Sequence, residues 1–196
     1  MTALLEIYLV RHGETAWSLS GQHTGHTEVP LTEHGESQAR ALAQRLGETV
    51  FTHILVSPRL RARQTCALAG CAAASEIEPD LAEWDYGDYE GLRSEDIRKA
   101  RPDWNVWRDG CPHGEMPAHV SIRANRLIAR LCTLQGRVAL FSHAQFGAAL
   151  AVRWIGLPLD TGQHFALFPA SVSVLGHASN HPATRVVALW NETPAV

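Results

Sequence analysis

The stretch 8-YLVRHGETAW-17 decides how the rest of the chain is read. An apolar run, Leu4 to Val10, ends abruptly at Arg11 and His12, and Gly13 and Glu14 come next. This pattern is that of a buried strand that delivers a cation and an imidazole side by side at its tip, on a turn that uses glycine. Further apolar runs rich in β-branched residues read as strands over Thr52–Val56, Val138–Phe141, Ser171–Leu175 and Val186–Trp190. A weaker one lies in "SEIEPD" (75–80).

Helical patterns fill the intervals. In 32–48, Ala39, Leu42, Ala43 and Leu46 share a face behind Thr32 as N-cap. Residues 58–70 read as a helix with Pro58 in its first turn. In 121–134, Leu127, Ile128, Leu131 and Leu134 share a side, and 145–158 ends at Gly156 with Pro158 beyond. Strands alternating with helices indicate an α/β domain with a mostly parallel sheet. An α+β arrangement stays open, because no helix separates the last two strands. Residues 84 to 120, rich in Trp, Asp, Gly and Pro, fit neither pattern and read as an irregular cap.

Composition narrows the function classes. The 196 residues suit a single domain, 1–196, with 45% apolar and 19% charged residues. A net charge of −3 makes no case for binding nucleic acid or an anionic membrane. Lys99 is the only lysine among 17 basic residues, so the cations are guanidiniums, the better two-point binders of phosphate. No segment approaches the roughly 20 apolar residues of a membrane span, and no basic region precedes the short N-terminal apolar run. Cys66, Cys71, Cys111 and Cys132 lack CxxC spacing, so free thiols and a cytoplasmic location are expected. Eleven histidines suggest metal, yet no HExxH occurs and His23 and His26 lack a third ligand nearby; no metal and no cofactor are expected.

Open α/β sheets bind ligands beyond the carboxyl ends of their strands. Arg11 and His12 lie just after the first strand, "SPRLRARQT" (57–65) after the second, and "SHAQFG" (142–147) after the strand at 138–141. Glu83, Asp85, Asp88 and Glu90 lie near the weak strand. Two histidines, several arginines and an acid on one rim suit phosphoryl transfer. An imidazole attacks phosphorus, guanidiniums hold the equatorial oxygens, and a carboxylic acid protonates the leaving oxygen. The uncatalysed reaction needs acceleration of up to ~10²¹-fold.

Five ordered motifs, "RHGETAW", "GQHTGHTEVPLTEHG", "SPRLRARQT", "LAEWDYGDYEGL" and "FSHAQFG", make the chain similar to the histidine phosphatases, the phosphoglycerate-mutase-like superfamily. The resemblance implies an α/β/α sandwich and a phosphohistidine intermediate. It implies His12 as nucleophile, Arg11 and Arg61 as phosphate-binding arginines, His143 as the second pocket histidine and Glu83 as proton donor. Ser18, Thr24, Gly25 and Ala144 fall on positions bordering the substrate. Ser18 stands where many members have Asn, and Gln22 where mutases tend to have Arg.

Two subgroups look nearest, the sedoheptulose-bisphosphatase type of sugar phosphatase and the bacterial broad-specificity acid phosphatases. In the bisphosphatase-like segment "WNVWRDGCPHGE" (104–115), Arg108 is a candidate for a second phosphate, or else pairs with Asp103 or Asp109. The implied partners are a small phosphorylated substrate and inorganic phosphate as product, with an oligomer allowed. The expected function is a metal-independent phosphomonoesterase. A cofactor-dependent mutase is the alternative, and a non-catalytic phospho-ligand binding domain a further one. Only 59 residues separate Glu83 from His143, shorter than in the resembling mutases.

Overall fold

The computed structural model describes residues 4–194; residues 1–3 and 195–196 of the expected domain lie outside the described residues. Six strands form one sheet: β1 (Glu6–Arg11), β2 (His53–Val56), β3 (Ser75–Ile77), β4 (Arg137–Ser142), β5 (Val172–Ala178) and β6 (His181–Glu192). Their order is β3-β2-β4-β1-β5-β6. The pairs β3–β2, β2–β4 and β4–β1 are parallel. β5 runs antiparallel to β1, and β6 antiparallel to β5. No helix separates the last two strands because they are antiparallel neighbours, which need only a tight turn.

The helices are α1 (Ala16–Ser20), α2 (Glu33–Leu46), α3 (Leu60–Leu68), α4 (Ser94–Ala100), α5 (Val106–Asp109), α6 (Pro117–Leu131) and α7 (Ala144–Trp154). Alternating strand residues divide between two cores. Ile7, Leu9, Leu55, Val138 and Leu140 pack against α6 and α7. Val10, Ile54, Val56, Ala139 and Phe141 pack against α2 and α3. The expected three-layer α/β/α sandwich with a mostly parallel sheet is therefore the fold.

Local chemistry explains the ends of the helices. Thr32 caps α2 through its hydroxyl, which accepts from the Gly35 amide at 2.9 Å. Pro58 does not stand in the first turn of α3, contrary to the expectation from sequence. The chain leaves β2 extended through Arg59, the N-cap, and the helix starts at Leu60. The helix expected from about residue 121 starts instead at Pro117, where the missing proline amide costs nothing. It ends at Leu131, so Leu134 packs on the core from the turn beyond. The 84–120 segment, expected to be irregular, holds the short helices α4 and α5, a 3-10 turn at Gly87–Tyr89 and the start of α6. Its tryptophans 84, 104 and 107 are buried in the α6–α7 core rather than in a core of their own.

Register aligns the strand ends. Arg11 pairs with Ser142, and Val56 with Phe141. The adjacent strands β2, β4 and β1 thus end at one level, where the Ser57 amide donates to Phe141 and the His12 amide to Ser142, at 2.9 and 3.0 Å.

Candidate active site

His12 sits one residue past β1, 5% exposed, on a wall of a cleft of about 300 Å³. Its Nδ1 lies 2.7 Å from the Gly13 carbonyl, which only accepts, so Nδ1 carries the proton. Nε2 then keeps its lone pair and has no partner among the described residues. Burial, and then the charges of Arg61 and Arg11, push the His12 pKa well below its usual 6.5, so the ring stays neutral.

The turn carrying His12 is pinned by backbone contact. A Cβ on Gly13 would stand 2.5 Å from the Gly35 carbonyl oxygen, and a Cβ on Gly35 2.1 Å from that of Glu14. The glycine after Arg11-His12 therefore serves a close approach to the start of α2, not a loose turn. The Gly13 amide also donates to Thr65 Oγ1 of α3 at 3.0 Å.

His143 is the N-cap of α7 and is fully buried. Its ring centroid is 5.3 Å from that of His12, with planes inclined by 59°. Ser57, at the end of β2, places its Oγ 2.7 Å from His143 Nε2, while His143 Nδ1 is buried without a partner among the described residues. Burial, then the charges of Arg61 and its other neighbours, drive the His143 pKa far below 6.5.

Two guanidiniums face these rings. Arg11 donates through Nη1 to the Leu167 carbonyl, and burial lowers its pKa to about 10, so it remains charged at neutral pH. Arg61, fully buried on α3, donates through Nη2 to the Thr24 and Gly25 carbonyls at 2.7 and 3.3 Å. Its Nη1 donates to Thr27 at 3.2 Å, and burial lowers its pKa too. Nε of both arginines is buried and unpartnered among the described residues.

The acid arrives from another layer. Glu83 is 8% exposed and lines the cleft. Its Oε1 accepts from the Trp84 amide (2.9 Å) and the Phe146 amide (2.8 Å), and its Oε2 from the Gln145 amide at 3.1 Å. The first turn of α7 thus holds the carboxylate with its unpaired amides and dipole. Oε2, with one partner, has the spare capacity to exchange a proton.

The remaining candidates divide. Ser18 and Ala144 line the cleft, but the Ser18 hydroxyl already accepts from the Thr15 amide and donates to the Thr15 carbonyl. Thr24 lines it as well, and its carbonyl anchors Arg61. Gly25 lies behind, its amide held by the Glu90 carboxylate at 2.9 Å. Arg108 is not brought to the cleft. It is exposed, its Nε and Nη2 pair with the Asp109 carboxylate at 2.9 Å, and it borders a separate hollow with Arg101 and Asp103.

Several wall residues are not apparent from the sequence, among them His23, Tyr86, Ser94 and Gln145. His23 stacks on Tyr86 with ring centroids 4.5 Å apart, and burial pulls its pKa down to about 4. Its place two positions before Gly25 in "HTGH" is a signal, though one that sequence alone weighs only as a possible metal ligand. Among the described residues no three His, Cys, Asp or Glu side chains group so as to hold a metal ion. Nor is any helix long and apolar enough to cross a membrane.

The chain is similar to known proteins in sequence and fold. The model of the histidine phosphatase superfamily (branch 1) matches residues 7–193. An acid phosphatase of Mycobacterium tuberculosis is 47% identical over 174 residues, covering 87% of this chain and 85% of its own. The sedoheptulose 1,7-bisphosphatase of Saccharomyces cerevisiae is 40% identical over 186 residues, 76% of this chain and 67% of its own. A solved structure of a Mycobacterium tuberculosis open reading frame product superposes with a TM-score of 0.90 at 41% identity, covering 96% and 97% of the two chains.

Proposed function

Given that the chain belongs to the histidine phosphatase superfamily, we propose that its cleft hydrolyses phosphate monoesters of small metabolites, sugar phosphates among them, through a phosphohistidine on His12. One observation carries this reading: a neutral His12, its Nδ1 proton committed to Gly13 and its Nε2 lone pair open, beside two buried guanidiniums.

In the first step His12 Nε2 attacks phosphorus and the P–O bond to the leaving group breaks. Glu83 Oε2, entering as carboxylic acid, gives the departing oxygen its proton. Arg11 and Arg61 hold the equatorial oxygens as charge shifts among them. They are already desolvated and fixed, so they need no reorganisation when the substrate arrives. His143 packs against the transferring group as a neutral donor, oriented by Ser57. In the second step the Glu83 carboxylate takes a proton from water, the water oxygen attacks phosphorus, and the N–P bond breaks. Inorganic phosphate leaves and both groups return to their starting forms. Positioning and fixed charge supply the catalysis, so the reaction is assigned no metal or cofactor.

The sedoheptulose 1,7-bisphosphatase relative supports a metabolite-sized substrate, and the acid phosphatase relative supports hydrolysis. Hydrolysis is favoured over return of the phosphoryl group to a bound sugar acid. At position 22, where a cation would hold such a carboxylate, the Gln22 amide is committed to Gly91 and its carbonyl to Ser20. Four free thiols, three of them buried, support a reducing cytoplasm as the place of work.

The test is phosphate release from an aryl phosphate with EDTA present, combined with acid trapping of labelled phosphate on the protein. Wild type should turn over and trap label. His12→Ala should do neither, and substantial residual turnover in that variant would overturn the assignment.

A further inference from the structure

The Gly13 carbonyl that accepts the His12 Nδ1 proton belongs to the peptide joining Gly13 to Glu14. The N–H of that same peptide, on Glu14, donates to Gln38 Oε1 at 2.9 Å. Gln38 is half-buried on α2, and its Nε2 lies 3.1 Å from Nε2 of His34, an exposed residue four positions earlier on the helix. A backbone N–H only donates, so the Gln38 oxygen faces Glu14 and its nitrogen is left to donate to His34. A continuous line of hydrogen bonds thus runs from an exposed imidazole, through one side-chain amide and one backbone peptide, to the ring of His12.

The turn does not depend on Gln38 for its place. Backbone contact with Gly35 pins Gly13, and the Gly13 amide donates to Thr65 Oγ1 at 3.0 Å. The Thr32 amide donates to the Glu14 carbonyl and the Ala170 amide to the His12 carbonyl, both at 3.0 Å. These bonds hold the peptides on either side. The Gln38 bond falls on the one peptide whose carbonyl holds Nδ1.

We propose that Gln38 is a positioning residue for the nucleophile, polarising the Gly13–Glu14 peptide so that its carbonyl holds the Nδ1 proton of His12 and leaves Nε2 as the attacking atom. This role rests on the phosphatase reading above and concerns how its nucleophile is prepared. A peptide is a conjugated unit, so donation from its N–H raises the negative charge on its oxygen, and the two hydrogen bonds reinforce each other. The gain is unequal along the reaction. His12 is neutral before attack, and its ring carries positive charge once Nε2 is bonded to phosphorus. The bond from Nδ1 to Gly13 then becomes charge-assisted and roughly twice as strong. Gln38 therefore lowers the barrier rather than tightening substrate binding.

The experiment compares wild type, Gln38→Met and Gln38→Glu. It measures kcat and KM with an aryl phosphate at neutral pH, and the His12 Nδ1 proton resonance in the ligand-free protein. Gln38→Met keeps the length of the side chain and removes the acceptor. Gln38→Glu keeps an acceptor for the Glu14 amide and gives up donation to His34. Gln38→Met should lower kcat by about three- to tenfold with KM nearly unchanged. Its Nδ1 proton should move upfield as the bond to Gly13 weakens. Gln38→Glu should return both kcat and the resonance to wild-type values or beyond.

Wild-type kcat in Gln38→Met, an unmoved resonance, or a Gln38→Glu no better than Gln38→Met overturns the proposal. So does a loss of kcat/KM that comes from KM, since Gln38 would then only shape the pocket. If Gln38→Met fails to fold, Gln38→Glu decides alone: a lowered kcat or an upfield shift overturns the role, and wild-type values with an unshifted or downfield proton support it. Wild-type turnover separates the two readings. If hydrolysis is present and His12-dependent while Gln38→Met equals wild type, only the role of Gln38 falls; if wild type does not hydrolyse the ester, both fall.

Discussion

The guanidinium carbon of Arg123 lies 4.2 Å from the centroid of the Phe146 ring. The same side chain donates to the carbonyls of Asp80 and Ala82 at 2.9 and 2.6 Å and to the Glu115 carboxylate at 2.6 Å. Phe146 supplies one of the amides that hold Glu83, and Ala82 precedes Glu83. One residue of α6 therefore braces both the loop bearing the acid and the helix turn that receives it. Arg123→Met should lower kcat for an aryl phosphate by about tenfold or more while KM changes little, because the phosphate-binding arginines are untouched. Loss of the half-buried pair with Glu115 should also cost roughly 2–4 kcal/mol in urea unfolding. An unchanged kcat would show that Glu83 holds its place without the brace.

The two site histidines should be visible as neutral rings. Burial, then Arg61, depress the pKa of both far below 6.5. Ring-nitrogen NMR between pH 8 and 5 should show His12 as the Nδ1-protonated tautomer with no titration. A His12 that protonates near pH 6.5 would remove its lone pair in the acid range and contradict the geometry.

Acid stability has a definite sign. His23 is buried and titrates at about 4 in the fold, against 6.5 in the unfolded chain. Between these values the unfolded chain binds the extra proton, so stability is complete above about pH 6.5 and falls as the pH drops towards 4. The slope is roughly 1.4 kcal/mol per pH unit, about 3 kcal/mol across the window. His12 and His143 add in the same direction. His23→Phe should flatten this acid loss by about its His23 share, measured as the pH dependence of the urea midpoint. An equally steep loss in the variant would place the titration elsewhere.

The backbone contact between Gly13 and Gly35 is tested by Gly35→Ala. Its Cβ would meet the Glu14 backbone at 2.1 Å, closer than any relaxed contact. Destabilisation of about 1–3 kcal/mol is expected, with a fall in kcat because the displaced loop carries His12. Wild-type kcat in a destabilised variant would mean that the loop yields elsewhere than at the nucleophile.

Much of the fold and of the site is legible in the amino-acid order alone. Short apolar runs rich in β-branched residues mark the strands, and Thr32 marks the start of α2. Arg11, His12 and His143, at or just beyond strand ends, are among the residues the parallel register brings to one rim, whereas Arg61 is told from Arg59 and Arg63 only by the resemblance. Glu83 stands among four candidate acids in the sequence and is told from Asp85, Asp88 and Glu90 only by resemblance, since nothing local reveals that α7 amides will receive it. The cap resists for a similar reason. Trp104 and Trp107 are buried by contacts distant in sequence, and the pairing of Arg108 with Asp109 is one of two readings that sequence allows equally.

Helix α7 is buried along nearly its whole length, from Phe146 to Val152 and again at Trp154. Its first residues set the position of both His143 and Glu83. Chemistry is thus welded to the deepest part of the molecule, whereas α4 rides on the cap with only Ile97 buried. Tolerance in such an architecture is lopsided: α4 can change with little effect on the core, while a change in the first turn of α7 disturbs His143 and Glu83 together.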